Sequence, residues 1–134
     1  MNKKLVDSLK KYFEINKIDV KVGIKYSNFC TSKPENIDIK FIAVLNFIKN
    51  QSRGNHYHKT KIEYMNILKG KLKCELFFPE DTENRYAIIL EEGEQIIIKP
   101  GCAHAFTALD DDALAMEFAQ ITLDEIINDT TMTV

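Results

Sequence analysis

No apolar run in this 134-residue sequence approaches the ~20 residues needed to cross a bilayer, so no transmembrane helix is expected. The opening residues, MNKKLVDSLKKYFEI, carry charges throughout and lack the uninterrupted apolar stretch of a secretory signal. An excess of one charge sign is missing too. The net charge is −2 with a pI near 5.9, and lysines are interspersed with acids, so nothing electrostatic points to nucleic acid. Cysteine is scarce and odd in number: Cys30, Cys74 and Cys102 show no paired zinc-ribbon spacing, and reduced thiols are expected. There is no internal repeat and no low-complexity tract. The expectation is a soluble, cytoplasmic chain forming a single domain over 1–134, with 45% hydrophobic residues to build its core. Histidine is scarce in a more informative way: the chain has three, at positions 56, 58 and 104.

Leu5, Leu9, Tyr12 and Phe13 recur at helical spacing and predict a short amphipathic helix within 4–14. From Ile18 to Tyr26 the period becomes two, which predicts a half-buried strand, followed by a loop over 31–36. Further strands are expected at Phe41–Ile48, around His56 and His58, and at Ile62–Leu68. Others follow around Leu72–Leu76, at Tyr86–Leu90 and Gln95–Lys99, and at Ala113–Gln120. Beyond Thr122, Leu123, Ile126 and Ile127 fit one helical turn docked on the strands. Roughly eight or nine short strands at this spacing imply an all-β sandwich or small closed barrel. The runs Ile88-Ile89-Leu90 and Ile96-Ile97-Ile98 read as core or as contact between copies.

The chemistry concentrates in two segments. In a strand, residues i and i+2 share a face, so His56 and His58 project together with Cα atoms ~6.6 Å apart, close enough for both rings to reach one ion. Glu63 follows after a short bend and offers a carboxylate from the neighbouring strand. The second segment runs from Gly93 to His104, and its Pro100-Gly101 turn brings His104 back toward the first pair. Cys102, beside His104, reads as a small buried apolar residue, with a supporting role at the site as the alternative.

These segments resemble the two motifs of the cupin superfamily. The first, G-x5-H-x-H-x4-E-x6-G, is met at His56, His58, Glu63 and Gly70, with Gly54 displaced from the opening position. The second, G-x5-P-x-G-x2-H-x3-N, is met at Gly93, Gly101 and His104, with Lys99 for the first proline and Ala108 for the asparagine. The resemblance implies an all-β, double-stranded β-helix (jelly-roll) barrel with the short helix in front. It also implies one divalent metal ion on His56, His58, Glu63 and His104: zinc first, with manganese, iron or nickel as alternatives.

The block Arg53-Gly54-Asn55-His56-Tyr57-His58, with Thr60, Lys61 and Glu63, resembles the zinc cupin of bifunctional capsular-polysaccharide enzymes, which epimerises a UDP-linked keto-deoxysugar. Arg53-Gly54 with His56, His58 and Lys59 is also similar to dTDP-4-keto-6-deoxyhexose ketoisomerases. In those, the histidines act as acid and base without a metal, and glutamine stands at the position of Glu63. Glutamate here favours the metal mode. The implied function is a metal-dependent epimerase or isomerase of a nucleotide-linked keto-deoxysugar in surface-polysaccharide synthesis. Its catalytic candidates are Glu63, His58, Lys59 and Arg53, with Tyr57 a weaker one that a regular strand turns away from the histidines. A small-molecule carbohydrate and a second copy of the chain are the expected partners. A binding cupin without turnover and an Fe(II) oxygenase are the readings from other classes.

Overall fold

Alternation of apolar and polar side chains organises the chain into strands, as period-two patterns require when one sheet face is buried. The structure is a computed structural model and describes residues 1–20, 27–28 and 38–133. Helix α1 (Lys3–Leu9) is followed by β1 (Phe13–Lys17), β2 (Asp19–Val20), β3 (Ser27–Asn28), β4 (Phe41–Phe47), β5 (Ser52–His58) and β6 (Glu63–Lys69). Then come β7 (Lys71–Phe77), β8 (Tyr86–Glu91), β9 (Glu94–Ile98), β10 (Ala103–Ala108), β11 (Ala113–Ala119), α2 (Leu123–Asp129) and β12 (Thr130–Met132). Among the described residues no helix is long and apolar enough to cross a membrane.

Two antiparallel five-stranded sheets, ordered β1-β9-β6-β11-β4 and β12-β5-β10-β7-β8, carry the fold. Their inner faces meet in one apolar core that includes Met65, Ile67, Leu72, Leu76, Ile96 and Ile98. This is the expected all-β architecture. Strand β5 lies in one sheet and β6 in the other, so the bend at 59–62 crosses from sheet to sheet and sets His58 against Glu63. The Ile88–Leu90 and Ile96–Ile98 runs alternate as strands do. Leu90, Ile96 and Ile98 enter the core, Ile89 is exposed, and Ile97 packs on the opposite face with Tyr64 and Phe118.

The helix is shorter than its apolar spacing predicts. It stops at Leu9, and Tyr12 N donates to Leu9 O as the chain turns into β1. Phe13 then faces Ile98 across β1 and β9. The two aromatic residues do pack on the core, but the open edge of β9 recruits them as strand and turn. Of the strand expected at 18–26, Asp19–Val20 is present and pairs with Ser27–Asn28, while 21–26 lie outside the described residues, as do the loop at 31–36 and Cys30.

Strands β1, β3, β10 and β12 carry no strand expectation from the sequence, and the last two frame the site. Strand β10 follows the Pro100-Gly101 turn and lies between β5 and β7. Strand β12 runs along β5, with Thr130 opposite His58 and Met132 opposite His56. Between β11 and β12, the single expected turn is a seven-residue helix. It begins with a capping box, in which the Thr122 hydroxyl accepts from Glu125 N and the Glu125 carboxylate accepts from Thr122 N.

Candidate metal centre

His56 and His58 leave β5 on the same side, with ring centroids 4.8 Å apart. His104, on β10, stands directly opposite His56 in the register, its ring 5.0 Å from His56 and 5.4 Å from His58. Glu63 opens β6 in the facing sheet. Its Oε1 lies 3.6 Å from His58 Nε2 and its Oε2 lies 3.3 Å from His104 Nε2. One donor atom from each of the four falls within 4.8 Å of the others. His58, Glu63 and His104 are buried, and His56 is half-buried.

Two local devices produce this convergence. The first is a bulge in β5: His104 pairs with His56 but Ala105 pairs with Gly54, so Asn55 is an extra residue, held at φ 58°. Gly54 is at φ 118°, and a Cβ there would come within 2.6 Å of the His104 carbonyl oxygen, so only glycine lets the two strands approach. The extra residue reverses the in-and-out phase. Arg53, which strict alternation would turn away from His56, therefore lines the same cavity as the histidines. Asn55 is fixed in turn by Arg85, whose guanidinium donates to Asn55 Oδ1 at 2.8 Å and stacks 3.9 Å over the Phe77 ring.

The second device is the bend between β5 and β6. Asp129 accepts from Thr60 N, Thr60 Oγ1 and Lys61 N, while Gln120 accepts from Ile62 N and donates to Thr60 O. From the other side, Gly101 N donates to His58 O at 2.8 Å, tying the Pro100-Gly101 turn to the histidine strand.

Behind Glu63 lies a buried chain of charge. Lys61 Nζ donates to Glu63 Oε1 at 3.0 Å and makes a short contact with Glu117 on β11. Burial alone would lower the Lys61 pKa, but the two carboxylates outweigh it and raise it. Burial pushes Glu63 up, yet the charges of His104 and Lys61 hold it well below the usual carboxylate range. Glu117 goes the other way, raised to about 7 by burial first and by the neighbouring Glu63 charge second. His56 is lowered to about 4, chiefly by burial and then by His104, and His58 is lowered for the same first reason. His104 is raised, because Glu63 overrides the effect of burial.

The four donors form the base of a cavity of about 330 Å³. Its walls include Phe41, Met65 and Phe106, and Leu123, Ile126 and Ile127 of α2 border it as well. That size lies at the low end of small-molecule sites.

The residues fit a divalent cation. His58 Nδ1 is engaged by Thr130 Oγ1 at 3.0 Å and His104 Nδ1 by the Cys102 carbonyl at 3.1 Å, so both rings turn Nε2 toward Glu63. His58 Nε2, His104 Nε2 and Glu63 Oε2 are buried and make no hydrogen bond of proper geometry. Orphaned buried polar atoms are costly, and a shared cation satisfies all three. The 3.3 Å gap between His104 and Glu63 also suits two ligands each ~2.0–2.1 Å from one tetrahedral ion, which lie ~3.3 Å apart.

No family model and no curated protein sequence matches this chain. Solved structures do. The QdtA 3,4-ketoisomerase of Thermoanaerobacterium thermosaccharolyticum, a double mutant in complex with TDP, superposes with a TM-score of 0.75 at 19% identity, over 90% of this chain and 86% of that one. A 3,4-ketoisomerase from Helicobacter canadensis gives a TM-score of 0.73 at 20% identity over 89% of both chains. The RmlC epimerase of Mycobacterium tuberculosis gives 0.72 at 13% identity, over 90% of this chain and 67% of that one. The chain folds as a cupin. At these identities the likeness is one of fold.

On this cupin framework, His56, His58, Glu63, His104 and Arg53 all line one cavity. Lys59 and Tyr57 do not line it: Lys59 is exposed just past the end of β5, and Tyr57 is on the strand's other side. The Cys102 side chain belongs to the core, with its thiol pushed up to about 12 by burial, and only its carbonyl touches the site. Sequence reading missed Lys61, Glu117 and Thr130 as cavity residues. A signal existed for two of them. Lys61 shares the strand phase of Glu63, and Glu117 shares the inward face of β11 with the small residues Ala113 and Ala115.

Proposed function

We propose that this cupin is a metal-dependent epimerase or isomerase of a nucleotide-linked keto-deoxysugar, working in the cytoplasm in surface-polysaccharide synthesis. The observation that carries the reading is the set of orphaned, buried donors at the base of a ligand-sized cavity whose border holds Arg53. Moving a proton on a carbon beside a carbonyl develops negative charge on the carbonyl oxygen. A divalent ion held by His56, His58, Glu63 and His104 supplies Lewis-acid stabilisation of that charge, worth several kcal/mol. Three imidazoles and a carboxylate suit zinc, and manganese, iron and nickel remain compatible with the donor set.

The chain's own residues divide the remaining work. Arg53 offers a guanidinium for the diphosphate of the substrate. Phe41, Phe106 and the apolar residues of α2 exclude water from the sugar. A histidine or carboxylate engaged by the ion is not free to shuttle a proton, so the carrier comes from outside the four donors. Glu117, held by Lys61, is the cavity-lining carboxylate that meets this condition. The same reading takes the chain as a homodimer. Among the described residues β4 ends its sheet, and it exposes Ile42 and Val44 at 62% and 65%.

The test is incubation of zinc-loaded protein in deuterium oxide with TDP-4-keto-6-deoxyglucose and its UDP counterpart. Deuterium gained at the carbon next to the carbonyl, and lost when metal is removed, is the expected result. Tight binding without exchange would make the protein a carrier, and iron-dependent oxygen uptake would make it an oxygenase.

A further inference from the structure

Thr130 Oγ1 lies 2.7 Å from the carbonyl oxygen of Ile126 and 3.0 Å from His58 Nδ1. A carbonyl only accepts, so the single hydroxyl proton of Thr130 is committed to Ile126. Toward His58 the hydroxyl has only lone pairs to offer. The hydrogen in that contact therefore sits on His58 Nδ1. A neutral imidazole has one N–H, so Nε2 carries a bare lone pair, and Nε2 is the atom facing Glu63.

His104 reaches the same state by another route. Its Nδ1 faces a main-chain carbonyl, that of Cys102, which no side-chain substitution removes. His58 depends instead on one side chain from a segment 72 residues away. That segment also fixes the rest of the site. Asp129 clamps the bend between His58 and Glu63, and β12 pairs with β5 so that Thr130 sits opposite His58.

We propose that Thr130 is a positioning residue of the cation site: it holds His58 in the Nδ1–H tautomer and thereby couples the α2–β12 segment to cation affinity. This rests on the metal reading above. Without Thr130 the ring is free to carry its hydrogen on Nε2, the form that has no lone pair for an ion. Outer partners of ligating histidines of this kind change metal affinity by about 10–100-fold.

The experiment compares wild type, Thr130→Val and Thr130→Ser. Ring nitrogen chemical shifts of the metal-free proteins read the tautomer of His58, and competition with a chromogenic chelator reads zinc affinity. Unfolding midpoints identify any variant that fails to fold. The expected result is Nδ1–H in wild type, a shift toward Nε2–H with at least a 10-fold loss of zinc affinity in Thr130→Val, and recovery of both in Thr130→Ser. Nε2–H in wild type, or zinc binding unchanged in Thr130→Val, overturns the proposal. If wild type shows Nδ1–H but takes no zinc, the metal reading fails and the cation half of the proposal fails with it, while the Thr130 effect on the tautomer is still read in the metal-free spectra.

Discussion

Lys61 donates to Glu63 from two residues upstream, Nζ to Oε1 at 3.0 Å, with both side chains only 3% exposed. The same ammonium reaches Glu117, so one buried cation neutralises carboxylates on two neighbouring strands. Removing one member of such a set leaves an uncompensated charge in the interior, at a cost of about 3–5 kcal/mol. Lys61→Met is expected to lose that much in urea unfolding at neutral pH. Glu117→Gln is expected to lose about 1 kcal/mol, because Lys61 keeps Glu63 as its partner. Equal losses in the two variants would contradict this arrangement.

Gly54 and Gly101 separate backbone strain from steric contact. Both hold positive φ, at 118° and 91°. A Cβ at Gly54 meets the His104 carbonyl oxygen at 2.6 Å, whereas one at Gly101 meets nothing closer than 3.7 Å. Gly101→Ala is expected to cost about 1–3 kcal/mol from conformation alone. Gly54→Ala costs more, and it lowers metal occupancy as well, because β5 and β10 must part where His56 faces His104. Thermal unfolding with metal analysis of both variants checks the contrast.

Arg53 and Lys59 look equivalent in the sequence, two basic residues flanking the histidine pair. The bulge at Asn55 brings Arg53 to the cavity, while Lys59 stays outside it. Calorimetric titration with TDP should show affinity falling about 10-fold in Arg53→Gln, equivalent to ~1.4 kcal/mol, and no change in Lys59→Gln. Equal effects would place the diphosphate elsewhere.

Asp129 sets a pH dependence of known sign. Its pKa is lowered: burial opposes this, but hydrogen bonds from Lys61 and Thr60 outweigh it. A carboxylate with a depressed folded pKa stabilises the fold above its unfolded value, about 3.9, and the contribution disappears as pH falls through the folded value. The stability difference between wild type and Asp129→Asn should therefore be full at pH 7 and shrink below about pH 4. Denaturant midpoints across that range measure it. A difference that grew on acidification would contradict the assignment. The side chain is half-buried at the protein surface, where solvent screening keeps the difference at pH 7 small.

What the sequence made legible was what period two carries. His56 and His58 share a face because they are two apart, and the Pro100-Gly101 turn marks where the chain doubles back to His104. The bulge was not legible, because it is a register relation between β5 and β10 and leaves no mark except a glycine and an asparagine that tolerate positive φ. Lys61 and Glu117 escaped because charged residues are normally solvated, and their burial arises only once β6 and β11 pair side by side and the opposite sheet covers their inner face. Strand β12 is three residues of Thr-Thr-Met without alternation, and it exists because β5 offers an edge to pair with. Tyr12 and Phe13 mimicked helical spacing while belonging to a turn and a strand.

Metal content by mass spectrometry on untagged protein, comparing wild type with His56→Ala, tests the four-donor site directly. His56 is the least buried of the four donors, so its removal is expected to disturb the fold least. Wild type is expected to hold about one divalent ion per chain, as a four-donor site requires, and the variant to lose it. Wild-type protein that holds no metal, even after incubation with zinc, manganese, iron or nickel, would contradict the four-donor site.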